Sequence, residues 1–519
     1  MAVVSRDDPV AILGAGTMGV GIAEVAARAG HPVRLLDARP IAAADGVRAI
    51  ADSLGRQVDR GRLSRTEADA AARRVCAVDD VAELAGCAVA VEVVVEDLSA
   101  KRTLMRTVED VLGPHALLAS NTSSISITAL GAALRRPERF VGLHFFNPAP
   151  RMALVEVVRG AATSAQTVER AQALAREWGK TPVTCNSTPG FIVNRVARPF
   201  YGEAQRLAEL GAADPATIDA VLHEAGEFPL GPFALTDLIG QDVNLAVSRS
   251  VWEQTFHDPR YTPTLFQQSL VDAGRLGRKT GRGVFSYAGD GTGVDAAPRT
   301  EPPREPPARV EVVADDFGVM AAFLERIDSG GVDVVRVPDA EDAEDADATA
   351  PGLHLPGGGL MRVTDGSTAR SWTVEAPAGV VLLDWAHDPR TCARVALMPS
   401  RDCRPDVLAA AVGLCQAAGA AVSLVADVAG GIVARTVSML VNEAVDLVAR
   451  GDAAANDVDI AMLLGTGYPS GPLEWGDRVE SWRIASVLAE LHEETPTGRY
   501  RLSPRLDEAV AGEEKLRDL

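Results

Sequence analysis

A chain of 519 residues with 47% hydrophobic and 24% charged residues can bury several cores of an ordinary globular protein. Its 71 acidic residues outnumber 51 basic ones for a formal charge of −20, which argues against a general binder of nucleic acid or anionic membrane. Six cysteines without a C-x-x-C pair fit neither a zinc site nor a disulfide framework, the acid-bearing start has no apolar signal core, and no apolar run approaches ~20 residues, so a cytoplasmic protein is expected.

In chain order, Val10–Leu13 reads as a strand, Thr17–Ala29 as a helix closed by Gly30, and Pro32–Leu36 as the next strand. Ala88–Val95, Ala116–Ala119 and Phe140–Leu143 follow as strands. Short apolar runs separated by helical patterns predict parallel β-α-β units. From about Gly190 to Tyr287 the apolar spacing changes to three and four, which predicts a helical domain. Residues 289–308 form a stiff Pro- and Gly-rich linker. Beyond it, 310–314, 332–337, 379–383 and 395–398 read as strands. The six acids between Asp339 and Asp347 read as a solvated loop.

The second half repeats the first. With an offset of 240, residues 189–238 align without a gap on 429–478 and share 14 identities. Pro189-Gly-Phe-Ile-Val-Asn-Arg195 faces Ala429-Gly-Gly-Ile-Val-Ala-Arg435, Glu203 faces Glu443, and Phe228-Pro-Leu-Gly-Pro232 faces Tyr468-Pro-Ser-Gly-Pro472. Glycines, prolines and helix-face positions coincide together, as a true duplication requires. The expected division is 1–188, a Rossmann-like α/β domain; 189–288, helical; 289–308, linker; 309–428, a degenerate Rossmann-like domain; and 429–519, a second helical domain.

Gly14-Ala-Gly-Thr-Met-Gly19 stands between a strand and a helix. The first glycine permits a tight turn, the second lets backbone approach a pyrophosphate, and the third allows close helix–strand packing, while the helix N-terminus offers N–H donors. Asp37 ends the next strand, where an acid binds the adenosine ribose and repels a 2′-phosphate, so NAD is expected over NADP. Gly14, Gly16, Thr17, Met18, Gly19 and Asp37 are the candidate cofactor contacts. Three later segments carry polar residues to strand ends or to the start of the helical domain: Ser120-Asn-Thr-Ser123, His144-Phe-Phe-Asn-Pro148 with Glu156 twelve residues after His144, and Thr188–Arg195. A histidine is a natural base for an alcohol proton, and a paired carboxylate fixes its tautomer.

These motifs, together with Gly274-Arg-Leu-Gly-Arg-Lys-Thr-Gly-Arg-Gly283, resemble the L-3-hydroxyacyl-CoA dehydrogenases over about residues 8–288. The tandem arrangement resembles the longer bacterial members that act on 3-hydroxyadipyl- or 3-hydroxybutyryl-CoA in phenylacetate catabolism. The resemblance implies NAD-dependent oxidation of (S)-3-hydroxyacyl-CoA. It implies His144 as general base with Glu156 as partner, and Ser123 and Asn194 near the substrate oxygen. It implies Asn147 beside nicotinamide and thioester, Glu96 and Lys101 as cofactor or substrate contacts, and Ser53 and Arg60 at the CoA phosphates. Arginine at position 60 departs from the lysine common there. No metal is implied. A homodimer or an internal pseudo-dimer through the helical domains is implied, with acyl-CoA the only partner expected. Two other readings stay open: a dehydrogenase of a free 3-hydroxy acid, and a non-catalytic NAD-binding scaffold.

The second copy loses the chemistry. Its first turn, Ala314-Asp-Asp-Phe-Gly318, has no G-x-G-x-x-G, Ala434 replaces Asn194, and Ala396–Ser400 is read as the counterpart of the His144 segment.

Overall fold

The computed structural model describes residues 4–287, 296–313, 317–337 and 350–519. The acidic 339–347 stretch, residues 289–295 of the linker and residues 314–316 of the turn after the first strand of the second copy lie outside the described residues. The chain forms two compact units, Met1–Arg195 with Arg450–Thr466, and Val196–Ala449 with Gly467–Leu519. The units therefore do not follow the sequential division: one short stretch of the second copy belongs with the first sheet.

The first unit is built on eight strands: β1 (Val10–Leu13), β2 (Val33–Leu36), β3 (Val75–Val78), β4 (Val89–Glu92), β5 (Leu117–Ser120), β6 (Phe140–Phe145), β7 (Leu154–Arg159) and β8 (Thr181–Asn186). Their order is β3-β2-β1-β4-β5-β6-β7-β8. All neighbours run parallel except β6 and β7, which pair antiparallel. The expectation of parallel β-α-β units holds up to β6; β7 and β8 then run the other way. Strands β1, β4, β5 and β6 are buried along their whole length, as a sheet covered on both faces demands. The chain order reverses direction at β1 and β4, so their carboxyl ends flank the crevice where such sheets take ligands.

The predicted β4 stopped later in the sequence reading, at Val95. In the structure it ends at Glu92 because residues 93–97 turn to start the helix Leu98–Val111, with Asp97 capping it through Ala100 N–H.

The helix Ala455–Thr466, from the second copy, completes this unit against β7 and β8. Two backbone N–H donors fix its approach: Asn186 N–H donates to the Asp452 carbonyl at 2.7 Å, and Thr184 N–H to the Asp457 carboxylate Oδ2 at 3.0 Å. Arg195 pairs with Asp452 at 2.9 Å.

The second unit carries the other sheet, of β9 (Arg309–Val313), β10 (Asp333–Val337), β11 (Gly352–Leu355), β12 (Gly359–Val363), β13 (Val380–Leu383), β14 (Arg394–Pro399) and β15 (Ala421–Leu424). Among the described residues its order is β10-β9-β11-β12-β13-β14-β15, which follows that of the first sheet from β2 to β8. The exchange of helices is reciprocal. Helix Pro215–Glu224 of the first copy packs on β14, and Ala426 N–H donates to Ala212 O at 2.8 Å, which is the 186-to-452 bond carried over by the offset of 240.

The helices of this unit close around charges that the repeat also exchanges. Glu203, fully buried, accepts from Arg435 at 2.7 Å, from Arg499 at 2.6 Å and from Tyr500 Oη at 3.0 Å. Its repeat mate Glu443, equally buried, accepts from Tyr261 Oη at 2.5 Å and Arg260 at 3.4 Å. Burial would raise the Glu203 carboxyl, but the charges of Arg499, Arg435 and Arg206 outweigh it and hold the group down at about 2. Asp237 organises the 274–287 turn, accepting from Val284 N–H, Phe285 N–H and Tyr287 Oη. A Cβ at Gly283 would sit 1.8 Å from that carboxylate, so only glycine fits there.

Candidate active site

The glycine turn between β1 and the helix Thr17–Ala29 has the geometry a dinucleotide needs. Gly14 has a φ of 120°, and a Cβ there would meet Val93 O at 2.6 Å. A Cβ on Gly19 would fall 1.9 Å from Gly14 O, so the third glycine is needed for helix–strand contact. Gly16 has open space where its Cβ would be, and it caps the helix with no side chain over the first N–H groups. Thr17 and Met18 begin that helix, Thr17 exposed.

Beside the turn is a cavity of about 320 Å³ lined by Gly14, Leu36, Asp37, Ala38, Val81 and Val94 among others. Asp37 Oδ2 accepts from Ala15 N–H at 2.9 Å, and Oδ1 from Arg39 N–H at 3.0 Å. Burial alone would raise this carboxyl, but those two amides and the Arg39 charge together hold it below its ordinary value. A carboxylate so fixed favours a ribose diol and opposes a phosphate. The turn, the cavity and the acid fit an NAD adenosine moiety.

Twelve residues separate His144 from Glu156, and the sheet explains the interval. The two are direct cross-strand partners in the antiparallel β6–β7 pair. His144 Nδ1 lies 2.5 Å from Glu156 Oε2, with His144 6% and Glu156 0% exposed. A carboxylate accepts only, so Nδ1 donates and Nε2 carries the free lone pair. The rings of Phe146 and Phe191 stand 4.6 and 5.7 Å from the imidazole.

Glu156 has a second duty. Its Oε1 accepts from Ile192 N–H at 3.0 Å and Val193 N–H at 2.9 Å, which pins the 190–194 turn beside the histidine. Asn194, next in sequence, is half-buried on the short helix Val193–Val196. The Thr188–Arg195 motif is thus tied to the base through one carboxylate, a link that no local sequence pattern displays.

The serine loop after β5 is held from below. Glu96 Oε1 accepts from Thr122 Oγ1 at 2.5 Å, Ser124 Oγ at 2.8 Å and Ser123 N–H at 3.3 Å. Asn121 Oδ1 accepts from Phe145 N–H at 2.8 Å and ties the loop to the strand bearing His144. Ser123 is half-buried. Lys101, 1% exposed, spends its ammonium on Glu92 at 2.7 Å, Glu96 at 3.1 Å and Val94 O at 3.2 Å. Three donors meet three oxygens, which ties Lys101 to the serine loop through Glu96. Glu92, which sequence reasoning missed, shares this network through Ser120 Oγ at 2.5 Å. Its only signal was an acid at the end of an apolar strand.

Asn147 is exposed in the turn after β6. Lys180 steadies the following residues by donating to Ala149 O at 2.6 Å and Met152 O at 2.8 Å. Ser53 and Arg60 lie on and just past the helix Pro40–Asp59, Ser53 half-buried and Arg60 exposed. Among the described residues no group of acids, histidines and cysteines could hold a metal.

The second sheet shows what became of the dyad, and corrects the sequence reading of Ala396–Ser400. The β13–β14 pairing puts Asp384 opposite Ala396, with Asp384 N–H donating to Ala396 O at 3.0 Å. With the offset of 240, Asp384 stands where His144 stands and Ala396 where Glu156 stands. The Asp384 carboxylate accepts from Ile432 and Val433 N–H at 2.8 Å each, and from Ala434 N–H at 3.1 Å. Ile432 and Val433 are the repeat mates of Ile192 and Val193. The copy that lost its base kept a carboxylate for the turn.

Comparison with known proteins agrees with this geometry. Residues 9–188 match the family described as 3-hydroxyacyl-CoA dehydrogenase, NAD binding domain, and residues 190–287 and again 430–517 match its C-terminal domain. Residues 361–428 match the 3-hydroxybutyryl-CoA dehydrogenase reduced Rossmann-fold domain. The chain is similar to the 3-hydroxyadipyl-CoA dehydrogenase of Escherichia coli K12, 40% identical over 493 residues and 95% of both chains. It is similar in structure to a 3-hydroxybutyryl-CoA dehydrogenase from Escherichia coli K12, with a TM-score of 0.85 and 38% identity over 98% of this chain and 100% of the other. An (S)-3-hydroxybutyryl-CoA dehydrogenase from Ralstonia eutropha matches 54% of this chain with 99% of its own, at 40% identity and a TM-score of 0.53.

Proposed function

The chain belongs to the 3-hydroxyacyl-CoA dehydrogenase family, and on that premise we propose how its residues divide the NAD-dependent oxidation of (S)-3-hydroxyacyl-CoA to 3-ketoacyl-CoA. His144 Nε2 takes the proton of the substrate 3-hydroxyl. Bound NAD supplies the acceptor for the hydride leaving C3. Glu156 holds the imidazole in the accepting tautomer and stabilises the imidazolium that forms. The single observation that carries this reading is the buried 2.5 Å contact of His144 Nδ1 with Glu156, which leaves Nε2 as the free atom.

Ser123 and Asn194 hydrogen-bond the substrate oxygen. Asn147 stands by the nicotinamide and thioester. Gly14, Gly16, Thr17, Met18, Gly19 and Asp37 hold the adenosine and pyrophosphate, and Ser53 and Arg60 take the CoA phosphates. Glu96 and Lys101, beneath the serine loop, are the remaining cofactor or substrate contacts. The substrate is 3-hydroxybutyryl- or 3-hydroxyadipyl-CoA, the compounds for which the similar enzymes are named. The domain division proposed is 1–188, 189–288, 309–428 and 429–519, joined by the 289–308 linker. The two helical copies form an internal pseudo-dimer, which the exchanged pairs of Glu203 and Glu443 support. No described helix is long and apolar enough to cross a membrane. Six unpaired cysteines, four of them buried, suit a reducing cytoplasm.

The test is NADH oxidation with acetoacetyl-CoA against free acetoacetate, with His144→Ala beside the wild type. The expected result is turnover on the thioester, little on the free acid, and a loss of roughly 10²–10⁴-fold in the variant. Near-normal turnover by a folded variant removes the proposed mechanism.

A further inference from the structure

Phe191 holds a backbone conformation that phenylalanine rarely adopts. Its φ is 50°, directly after Gly190 at 78°. The left-handed region crowds a Cβ, so a bulky residue persists there only where its surroundings over-determine it, and such positions cluster at functional sites. The turn is fastened along its length. Phe191 N–H donates to Thr188 O at 3.0 Å, Arg195 N–H to Gly190 O at 3.1 Å, and the amides of Ile192 and Val193 to Glu156.

The repeat supplies a control within the same chain. With the offset of 240, Gly190 and Phe191 face Gly430 and Gly431, whose φ values are 73° and 58°. The same bonds recur there: Gly431 N–H donates to Val428 O at 3.4 Å and Arg435 N–H to Gly430 O at 2.8 Å. Both copies thus need the left-handed conformation, and the copy without a histidine base meets it with glycine. A Cβ on Gly431 would stand 3.0 Å from the Asp384 carboxylate, and Asp384 is the repeat mate of His144. The position therefore faces residue 144 in one copy and residue 384 in the other. Glycine makes room for Asp384, whereas phenylalanine stands against His144.

The Phe191 ring is 2% exposed, and its plane lies at 63° to the imidazole, with the centroids 5.7 Å apart. Aromatic pairs of this edge-to-face kind favour one mutual orientation. The bond from His144 Nδ1 to Glu156 sets the tautomer but leaves the imidazole plane free to tilt about that bond. A packed ring restrains the tilt and with it the direction of the Nε2 lone pair. Resting on the reading of His144 as the base, we infer that Phe191 is a positioning residue for the reaction. Its left-handed turn, pinned by Glu156 through the amides of Ile192 and Val193, presses the ring on the imidazole and aims Nε2 at the substrate hydroxyl.

Phe191→Leu and, separately, Phe191→Met keep an apolar side chain without the aromatic face. Oxidation of NADH by acetoacetyl-CoA is measured on the full chain and scaled to the folded fraction from thermal melts. A misdirected base should lower kcat by roughly 10–10²-fold. KM for acetoacetyl-CoA and Kd for NADH should stay within about twofold of the wild type, because binding is untouched. A purely structural phenylalanine would lower the melting midpoint and leave kcat per folded molecule in place. A loss of kcat smaller than about tenfold, or one matched by an equal rise in KM or Kd, overturns the inference. If one variant does not fold, the other decides. His144→Ala measured beside them separates the two ideas. An inactive His144→Ala with both Phe191 variants at wild-type kcat removes the positioning role alone, whereas an active His144→Ala removes the base and the positioning role together.

Discussion

Glu156→Gln separates the two duties of this carboxylate. Glutamine keeps one carbonyl oxygen, and the two N–H groups of Ile192 and Val193, at 3.0 and 2.9 Å from Glu156 Oε1, compete for it with the imidazole. With the carbonyl on the amides, the glutamine NH₂ faces His144 Nδ1. Nδ1 must then accept, the ring proton moves to Nε2, and the base is blocked. A wrong-tautomer change of this kind costs roughly 10³–10⁴-fold in kcat, which is about 4–5.5 kcal/mol of transition-state stabilisation at 1.36 kcal/mol per decade. Stability should change little because the amides stay paired. Glu156→Ala should lose as much activity and also orphan two buried N–H groups, each worth about 1–3 kcal/mol. Steady-state oxidation of NADH by acetoacetyl-CoA from pH 6 to 9, with thermal melts of both variants, measures the two effects. Glu156→Gln retaining more than a tenth of wild-type kcat with an unaltered pH profile would refute the reasoning. Equal melting of the Gln and Ala variants would refute the second duty.

Four further outcomes follow from the geometry. Asp384→Ala leaves Ile432, Val433 and Ala434 N–H groups without their acceptor and should destabilise the protein by ~3 kcal/mol or more, with kcat per folded molecule unchanged; urea unfolding and a turnover assay check both. Asp37→Asn removes the negative charge opposing a 2′-phosphate and should raise the NADP/NAD ratio of kcat/KM by roughly 10-fold or more, read from paired kinetics. The Glu203 carboxyl is held at about 2 against an ordinary 4.5, so its contribution is complete above pH 4.5 and is lost as pH falls from there toward 2. The loss amounts to ~3 kcal/mol; acid titration of the wild type should show it, and Glu203→Gln should flatten that part of the curve. Calorimetry should find one NAD per chain, and two would restore nucleotide binding to the second copy.

The sequence alone determined the elements whose physics is local. The Gly14–Gly19 turn, its flanking strand and helix, the ribose acid at Asp37 and the change to helical periodicity at 190 are all short-range patterns. The duplication was equally legible, because glycine and proline positions survive when side-chain chemistry does not. Tertiary structure decided what depends on register between distant segments. Only the antiparallel turn of β7 sets Glu156 opposite His144, and only that pairing shows Asp384, rather than the 396–400 stretch, at the place of the lost base. Burial decided the surroundings of Lys101: no local pattern in its motif shows the three oxygens that stand around its ammonium. The return of helix Ala455–Thr466 to the first sheet was also beyond the sequence, since its surface is apolar against β7 and β8 and no local signal says which sheet it covers. Periodicity fixes that a face must be buried; the partner is chosen by the packing of the whole chain.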